Sequence, residues 1–285
     1  MKTLSRCTSD NLPTENLMKL FYRRYGTGPA LIILHGLYGS SDNWIQIARK
    51  IDDRFTVIIP DLRNHGLSPH SDIHDYESMS NDLLELAVDT GLTHFFLAGH
   101  SMGGKVAIRF AMRWPEMLDG LLVADISPFN SSERLRKDLL KHKEIIGAML
   151  SADISSAGSR REVEMLFSSM ESERLSGFIL KNLRRDAENR FEWKINLRAL
   201  AGNIEKIMES VEPDKNDEGS ITGFPVYFLK AVNSDFITGD DFVLIKGMFP
   251  AAEFITVPDA GHWVHADNPD AVVSALLKFQ EAGAG

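Results

Sequence analysis

The chain has 285 residues, 44% of them hydrophobic and 25% charged, with a formal net charge of -9 at pH 7. These values are typical of a soluble protein with one large domain, or one domain that carries a sizeable insertion. The negative charge and the lack of a long Lys/Arg run argue against a nucleic acid or an anionic membrane as the main partner. We therefore expect a small-molecule partner.

Two features of the chain bear on its compartment. Cys7 is the single cysteine, so no intramolecular disulfide can form and nothing demands an oxidising environment. Residues 1–16 lack the apolar segment of a secretory signal, and no apolar run approaches membrane-spanning length. We predict a cytoplasmic protein, a monomer or a small homo-oligomer, in which residues 1–16 are a disordered lead-in.

Apolar runs rich in branched residues alternate along the chain with segments of helical spacing. The first run, MKLFYRRYG at residues 18–26, predicts a strand or a hairpin, and residues 45–52 and 76–91 predict helices. Buried strands are predicted at residues 30–36, 54–61, 95–98, 120–127, 225–232 and 253–259, and a closing helix at residues 270–280. This alternation favours an α/β fold with a doubly wound, mostly parallel sheet, in which ligands bind at the carboxyl ends of the strands.

The pattern changes over residues 128–223, where Met, Leu and Phe are scattered among many charges. No strand of the earlier kind is predicted in this segment. We interpret it as a helical lid insertion and a polar linker that returns the chain to the core, because insertions over strand ends often carry function. The core then comprises residues 17–127 and 224–281.

The stretch FFLAGHSMGGK, residues 95–105, has the order of strand, sharp turn and helix. This is the context in which a Gly-x-Ser-x-Gly motif forms a nucleophile elbow, with Ser101 at its tip. The turn strains the serine backbone, and Gly99 and Gly103 leave room for the neighbouring strand and helix. His100, inside the elbow, is predicted to point away from the serine and to be structural.

A serine hydroxyl needs an imidazole to take its proton and a carboxylate to orient that imidazole. His262, after the final strand, has the chain position expected of the base, whereas His265 is predicted to pack or to cap a helix. Two carboxylates at strand ends are candidates for the acid, Asp125 in VADISP and Asp235 in AVNSDF. Many proteins of this architecture place the acid after the next-to-last strand, which favours Asp235.

The segment HGLYG follows the first long buried strand and begins with His35 and Gly36. Backbone N–H groups at this position can face a developing oxyanion. We predict a hole of two donors, formed by the amide of Met102 and that of Leu37, with Tyr38 as the alternative to Leu37. Because the donors belong to the main chain, the side chains at these positions are free to vary.

Neither a metal nor a cofactor is predicted. His70 and His74 are four residues apart, the spacing of a metal pair on a helix, but Pro69 and Asp72 indicate a loop. No further cluster of His, Cys or Glu lies nearby in the sequence.

Five motifs in order resemble the α/β-hydrolase superfamily, and more narrowly its YbfF-type esterase and thioesterase branch: HGLYGSSDNW, DLRNHGLSP, GHSMGGK, ADISP and AGHWVHADNPDAV. The resemblance covers nearly the whole chain from about residue 17. In that branch the acid follows the strand after the elbow helix, which implies Asp125, and an Asn-Ser pair stands at the usual acid site, which implies a supporting role for Ser234. The sequence departs from the branch at AVNSDF, so Asp235 remains a competitor.

The prediction is thus a serine hydrolase that cleaves small or acyl-CoA-like carboxylic esters or thioesters through an acyl-enzyme on Ser101. The same scaffold also serves C–C bond hydrolases, lyases of the menaquinone pathway and cofactor-free perhydrolases. A module that binds a ligand without catalysis is an alternative from another class. The intact set of serine, histidine and acid argues against it.

Overall fold

A computed structural model describes residues 18–168, 173–213 and 219–282 of the chain. The predicted lead-in at residues 1–16 lies outside these ranges, as does part of the predicted linker, residues 214–218. Within the described ranges, no helix combines the length and apolar character needed to cross a membrane.

The described residues form nine strands and ten α-helices. The strands are β1 (Tyr22–Tyr25), β2 (Ala30–Leu34), β3 (Thr56–Pro60), β4 (Phe95–His100), β5 (Leu118–Ala124), β6 (Leu183–Arg185), β7 (Phe191–Trp193), β8 (Val226–Ala231) and β9 (Ala252–Val257). The helices are α1 (Ile45–Lys50), α2 (Tyr76–Asp89), α3 (Met102–Arg113), α4 (Ser132–Ser151), α5 (Arg160–Leu166), α6 (Glu173–Ile179), α7 (Leu197–Met208), α8 (Gly239–Met248), α9 (Val264–Asp267) and α10 (Pro269–Ala282).

Seven strands form one sheet in the order β1-β3-β2-β4-β5-β8-β9. Strand β1 is antiparallel to β3 and the other neighbours are parallel, which confirms the predicted doubly wound, mostly parallel sheet. The segment predicted as a strand or a hairpin is thus a single edge strand. All strands from β2 onward in this sheet end at the same edge, where the candidate residues follow them.

Helices cover both faces of the sheet, which explains why its central strands are continuous apolar runs. Successive residues of β2 point to opposite faces. Ile32 and Leu34 pack in a core layer with residues of α2 and α3, whereas Leu31 and Ile33 pack in a second layer with residues of α1 and α10. The carboxyl ends of these strands, where the candidate residues follow, are thus anchored by packing on both faces of the sheet.

The insertion between β5 and β8 contains helices α4 to α7, with α4 packed against α7. It also contains a two-stranded antiparallel sheet of β6 and β7, which the prediction of helices alone did not include. Each of these strands has only three residues, LRR and FEW, too few to show an alternating pattern.

The turn between β4 and α3 leaves no space for side chains at its two outer glycines. A Cβ atom on Gly99 would lie 2.2 Å from the carbonyl oxygen of Gly103, and one on Gly103 would lie 2.5 Å from that of His35. Both obstacles are backbone atoms, which cannot move without shifting the strand or the helix. The close approach of β4, α3 and the loop after β2 therefore requires glycine.

We expect Gly99→Ala to lower the free energy of unfolding by at least about 2 kcal/mol, because its Cβ would overlap backbone. Gly202→Ala is the matched control, since Gly202 lies within α7 and no atom is within 4 Å of the Cβ site. Its substitution should raise stability by about 0.5–1 kcal/mol through helix propensity. Urea unfolding measures both, and equal stability of Gly99→Ala and the wild type would contradict the packing described.

Candidate active site

Ser101 lies between the end of β4 and the start of α3 and has the backbone angles φ 54 and ψ -120. A positive φ is uncommon for a residue with a side chain and is found most often at functional sites. The Ser101 amide donates to the carbonyl oxygen of Ala124 at the end of β5, at 3.2 Å. This bond fixes the turn at the carboxyl edge of the sheet, and the serine side chain lines a cavity there.

His262 connects the serine to a carboxylate. The Ser101 hydroxyl donates to His262 Nε2 at 3.0 Å, and His262 Nδ1–H donates to Asp125 Oδ2 at 2.9 Å. The three residues follow β4, β5 and β9, which lie in one sheet and run in the same direction. The carboxylate holds the imidazole proton on Nδ1, so Nε2 is free to accept the serine proton.

The Asp125 carboxylate is buried and is surrounded by donors. Its Oδ1 accepts from the Ala231 amide at 3.0 Å, and its Oδ2 accepts from the Ser234 hydroxyl at 2.5 Å in addition to His262. Asp125 also has a positive φ of 52, a strained conformation that aims its side chain at the histidine loop. These hydrogen bonds satisfy the buried acceptor atoms of the carboxylate.

Asp235, the other candidate acid, has a different environment. Its side chain is 77% exposed and lies 3.4 Å from the Lys137 ammonium in the insertion. The structure thus brings Asp125 to the histidine and leaves Asp235 at the rim of the same cavity.

The loop after β2 carries two candidate oxyanion donors, the backbone amides of Leu37 and Tyr38. Tyr38 has a φ of 61, and its amide donates to His65 Nε2 at 3.3 Å. In the part of the chain that the structure describes, the amides of Leu37 and Met102 donate to no protein acceptor. Met102 is the first residue of α3, where backbone N–H groups have no partner within the helix.

Two neutral histidines hold this loop in place. His35 Nδ1–H donates to the Gly36 carbonyl, while its Nε2 accepts from the Leu62 amide; both distances are 2.9 Å. His65 Nδ1–H donates to the Arg63 carbonyl at 3.0 Å, which leaves its Nε2 to accept from Tyr38. Burial lowers the pKa of His35 and holds that of His65 well below its usual range. The motif DLRNHGLSP contains His65, but only the fold shows its contact with the loop.

His100 and His265 lie beside His262. The His100 Nε2–H donates to the His262 carbonyl oxygen at 2.7 Å, so this elbow residue contacts the backbone of the histidine loop. His265 stacks on Trp44 with ring centroids 4.8 Å apart, and burial lowers its pKa to about 4. Neither ring contacts the serine hydroxyl.

Phe236 was not identified from the sequence. Its ring stacks on the His262 imidazole, with centroids 3.9 Å apart and an angle of 23° between the planes. The stack opposes rotation of the imidazole ring out of the plane in which it hydrogen-bonds Ser101 and Asp125. A phenylalanine after a strand gives no sequence signal for such a contact.

The cavity above Ser101 has a volume of about 490 Å³, within the range of small-molecule sites. Residues of the core and of the insertion line it together. Tyr38 joins the two parts, because its hydroxyl hydrogen-bonds His142 Nδ1 at 3.0 Å and its carbonyl accepts from Asn182 Nδ2 at 2.7 Å.

Among the described residues, no group of three or more His, Cys, Asp or Glu could hold a metal ion, and His70 and His74 lie in a loop.

Known proteins resemble this chain over most of its length. A model described as the alpha/beta hydrolase family matches residues 31–275. The sn-1-specific diacylglycerol lipase ABHD11 of Danio rerio is 34% identical over 284 residues, which cover 97% of this chain and 87% of that protein. The esterase YbfF of Escherichia coli K12 is 28% identical over 87% of this chain and 92% of its own length. A solved structure named marine microorganism esterase is 42% identical, with a TM-score of 0.86, and covers 92% of this chain and 99% of that one.

Buried neutral histidines should make stability depend on pH. Burial is the largest cause of a lowered pKa at His35, His65, His74, His100, His142 and His265. The unfolded chain binds protons at these positions below about pH 6.5, whereas the folded protein does not until the pKa of each is reached, about 4 for His142. Their contribution to stability is therefore present above pH 6.5 and is lost as the pH falls.

We expect the free energy of unfolding to fall between pH 7 and pH 5. His142→Asn removes one of these histidines and should reduce the slope by up to about 1.4 kcal/mol per pH unit, the value for one proton. Urea titrations of both proteins across this range measure the two slopes. Because every other titrating group is shared, identical slopes would contradict a neutral His142 in the folded state.

Proposed function

The chain belongs to the α/β-hydrolase family and is a serine ester hydrolase; from this premise we propose that Ser101, His262 and Asp125 form its catalytic triad. The observation that carries the proposal is the unbroken chain of hydrogen bonds from the serine hydroxyl through the imidazole to the buried carboxylate. Asp125 is preferred to Asp235 because it contacts His262 and is surrounded by donors, whereas Asp235 pairs with Lys137 at the surface.

In the proposed reaction Ser101 Oγ attacks the acyl carbonyl while its proton passes to His262 Nε2. The Asp125 carboxylate stabilises the imidazolium that forms. The imidazolium then donates its proton to the leaving alcohol or thiol, and the acyl group remains on Ser101 as an ester. Water attacks this ester with His262 as base, and the carboxylic acid is released.

We further propose that the amides of Leu37 and Met102 stabilise the tetrahedral oxyanion. Both lack a protein acceptor among the described residues and lie on the two segments that flank Ser101. Tyr38 is the weaker choice because its amide already donates to His65. One donor of this kind contributes about 3 kcal/mol to transition-state stabilisation in enzymes from which it has been removed.

The insertion at residues 128–223 is proposed to act as a lid that shapes the cavity. Tyr38 contacts it through both His142 and Asn182, and residues of α4, α6 and α7 line the space above the serine. The hydrolysis of esters and that of thioesters need the same groups, so both remain within the proposal. The two contacts also connect the lid to the segment that carries the Leu37 amide.

Purified protein should hydrolyse short p-nitrophenyl esters, and Ser101→Ala should lose this activity while keeping its fold. A fluorophosphonate should label the wild type at Ser101, with loss of fluoride, because the imidazole makes that hydroxyl nucleophilic. Acyl-CoA substrates tested in parallel, with release of CoA as the readout, measure the thioester activity. A folded wild type that neither turns over esters nor reacts with the probe would favour the ligand-binding module, and turnover only of a vinylogous diketone would favour a C–C hydrolase.

Asp125→Asn should lower kcat by about ten-thousand-fold, because an amide in this position stabilises the wrong imidazole tautomer. Asp235→Asn is the matched control, an identical change at the rim of the same cavity, and should leave kcat within about threefold of the wild type, since it alters only an exposed ion pair. Steady-state kinetics of both variants on one p-nitrophenyl ester give the comparison. The reverse ranking would assign the acid to Asp235.

A further inference from the structure

The Lys105 side chain lies in the wall of the cavity above Ser101. It follows the serine by one helical turn, and its amide donates to the Ser101 carbonyl at 3.1 Å. Side chains on a helix lean towards the N-terminus, so Lys105 leans back over the turn that carries the serine. The side chain is only 2% exposed, unusually low for a lysine.

The Lys105 ammonium has less than a full set of partners. It donates to the Glu209 carbonyl at 2.6 Å and lies 5.7 Å from the centre of the Tyr76 ring. No described residue brings a carboxylate oxygen within 4.0 Å of it, and one of its three N–H groups has an acceptor there. Burial lowers the pKa of Lys105 to about 8, which leaves it mostly charged at pH 7.

A buried charge is normally paired, because removal from water costs several kcal/mol that an opposite charge offsets. The Glu209 carbonyl, at the C-terminus of α7, accounts for one donor and connects α3 to the insertion. The Asp138 and Glu209 carboxylates favour the positive charge from beyond ion-pair distance. An anionic group on a bound substrate would supply the direct ion pair that the described residues do not form.

The position of Lys105 indicates which part of the substrate it meets. Around it the cavity is lined by Tyr76, Ile207 and Met208, from α2 and α7. In the proposed reaction the leaving group takes its proton from His262, whose imidazole stacks on Phe236. The contacts of the Lys105 ammonium are with Tyr76 and Glu209 and include neither of these two rings. We therefore assign the wall with Lys105 to the acyl part.

We propose that Lys105 binds a carboxylate at the far end of the acyl group, so that half-esters of dicarboxylic acids are the preferred substrates. This inference rests on the proposed ester hydrolysis at Ser101. Asp138 of α4 lines the same cavity, where its carboxylate favours the charge of Lys105 but repels a bound anion directly. Lys105 is thus expected to favour half-esters and Asp138 to disfavour them, and each residue can be substituted separately.

The test compares p-nitrophenyl half-esters of succinic, glutaric and adipic acid with the neutral butyrate, valerate and hexanoate esters. For at least one acyl chain length, the kcat/KM of the wild type should be about tenfold or more higher for the half-ester than for the neutral ester of the same length. This is the gain expected from one charge-assisted hydrogen bond. Lys105→Gln, which keeps a donor for Glu209, and Lys105→Met should each lower this ratio by about tenfold or more. Asp138→Asn should raise it. Lys206→Met removes an exposed lysine of α7 outside the cavity and should leave the ratio unchanged.

The outcomes separate this inference from the proposed function. Hydrolysis of neutral esters with no gain for any half-ester would overturn the role of Lys105 and leave the ester hydrolase intact. Failure to hydrolyse either series would overturn the proposed function itself. A lower melting temperature in Lys105→Gln with an unchanged ratio would assign Lys105 to stability alone. A gain seen instead for 4-acyloxybenzoates, whose carboxylate is on the leaving group, would overturn the acyl assignment. If both Lys105 variants fail to fold, the wild-type ratio and Asp138→Asn still decide.

Discussion

The hydrogen bond between His262 and Asp125 is the contact on which the rest of the site depends. It holds the imidazole proton on Nδ1, so that the lone pair of Nε2 faces the serine hydroxyl. The two residues are 137 positions apart, so no local element can form the bond. It exists because β5 and β9 run in the same direction on either side of β8 and end at one edge of the sheet. The parallel sheet is therefore the part of the architecture that the proposed chemistry requires.

Features governed by local geometry could be predicted from the sequence. The turn at Ser101 needs small residues at fixed offsets between a strand and a helix, and Gly99 and Gly103 meet that need within five residues. The choice of acid could not be settled in this way, because Asp125 and Asp235 both follow buried strands. What distinguishes their environments is an amide and a hydroxyl more than 100 residues beyond Asp125, and no local pattern reports such contacts.

The same limit explains the features that the sequence did not reveal. The sequence left Leu37 and Tyr38 open as proposed oxyanion donors, because the acceptor of the Tyr38 amide, His65, lies 27 residues away. In the sequence Lys105 is only part of a motif at the start of a helix. Its contact with the insertion joins residues 104 positions apart. Strands of three residues, such as β6 and β7, are missed for another reason, because they are too short to show an alternating pattern.

Four of the buried charged side chains are stabilised in three different ways. The Asp125 carboxylate accepts from an amide, a hydroxyl and an imidazole, while Arg63 and Asp82 neutralise each other at 2.6 Å. In direct contact with Lys105 are a carbonyl oxygen and an aromatic face, while the Asp138 and Glu209 carboxylates favour its charge from beyond ion-pair distance. Together these offset less of the desolvation cost than a direct ion pair would. A methionine in its place would line the cavity without that cost. The retained cation is therefore better explained by what the cavity binds than by the stability of the fold, and it makes the acyl end of the substrate the part that the site discriminates.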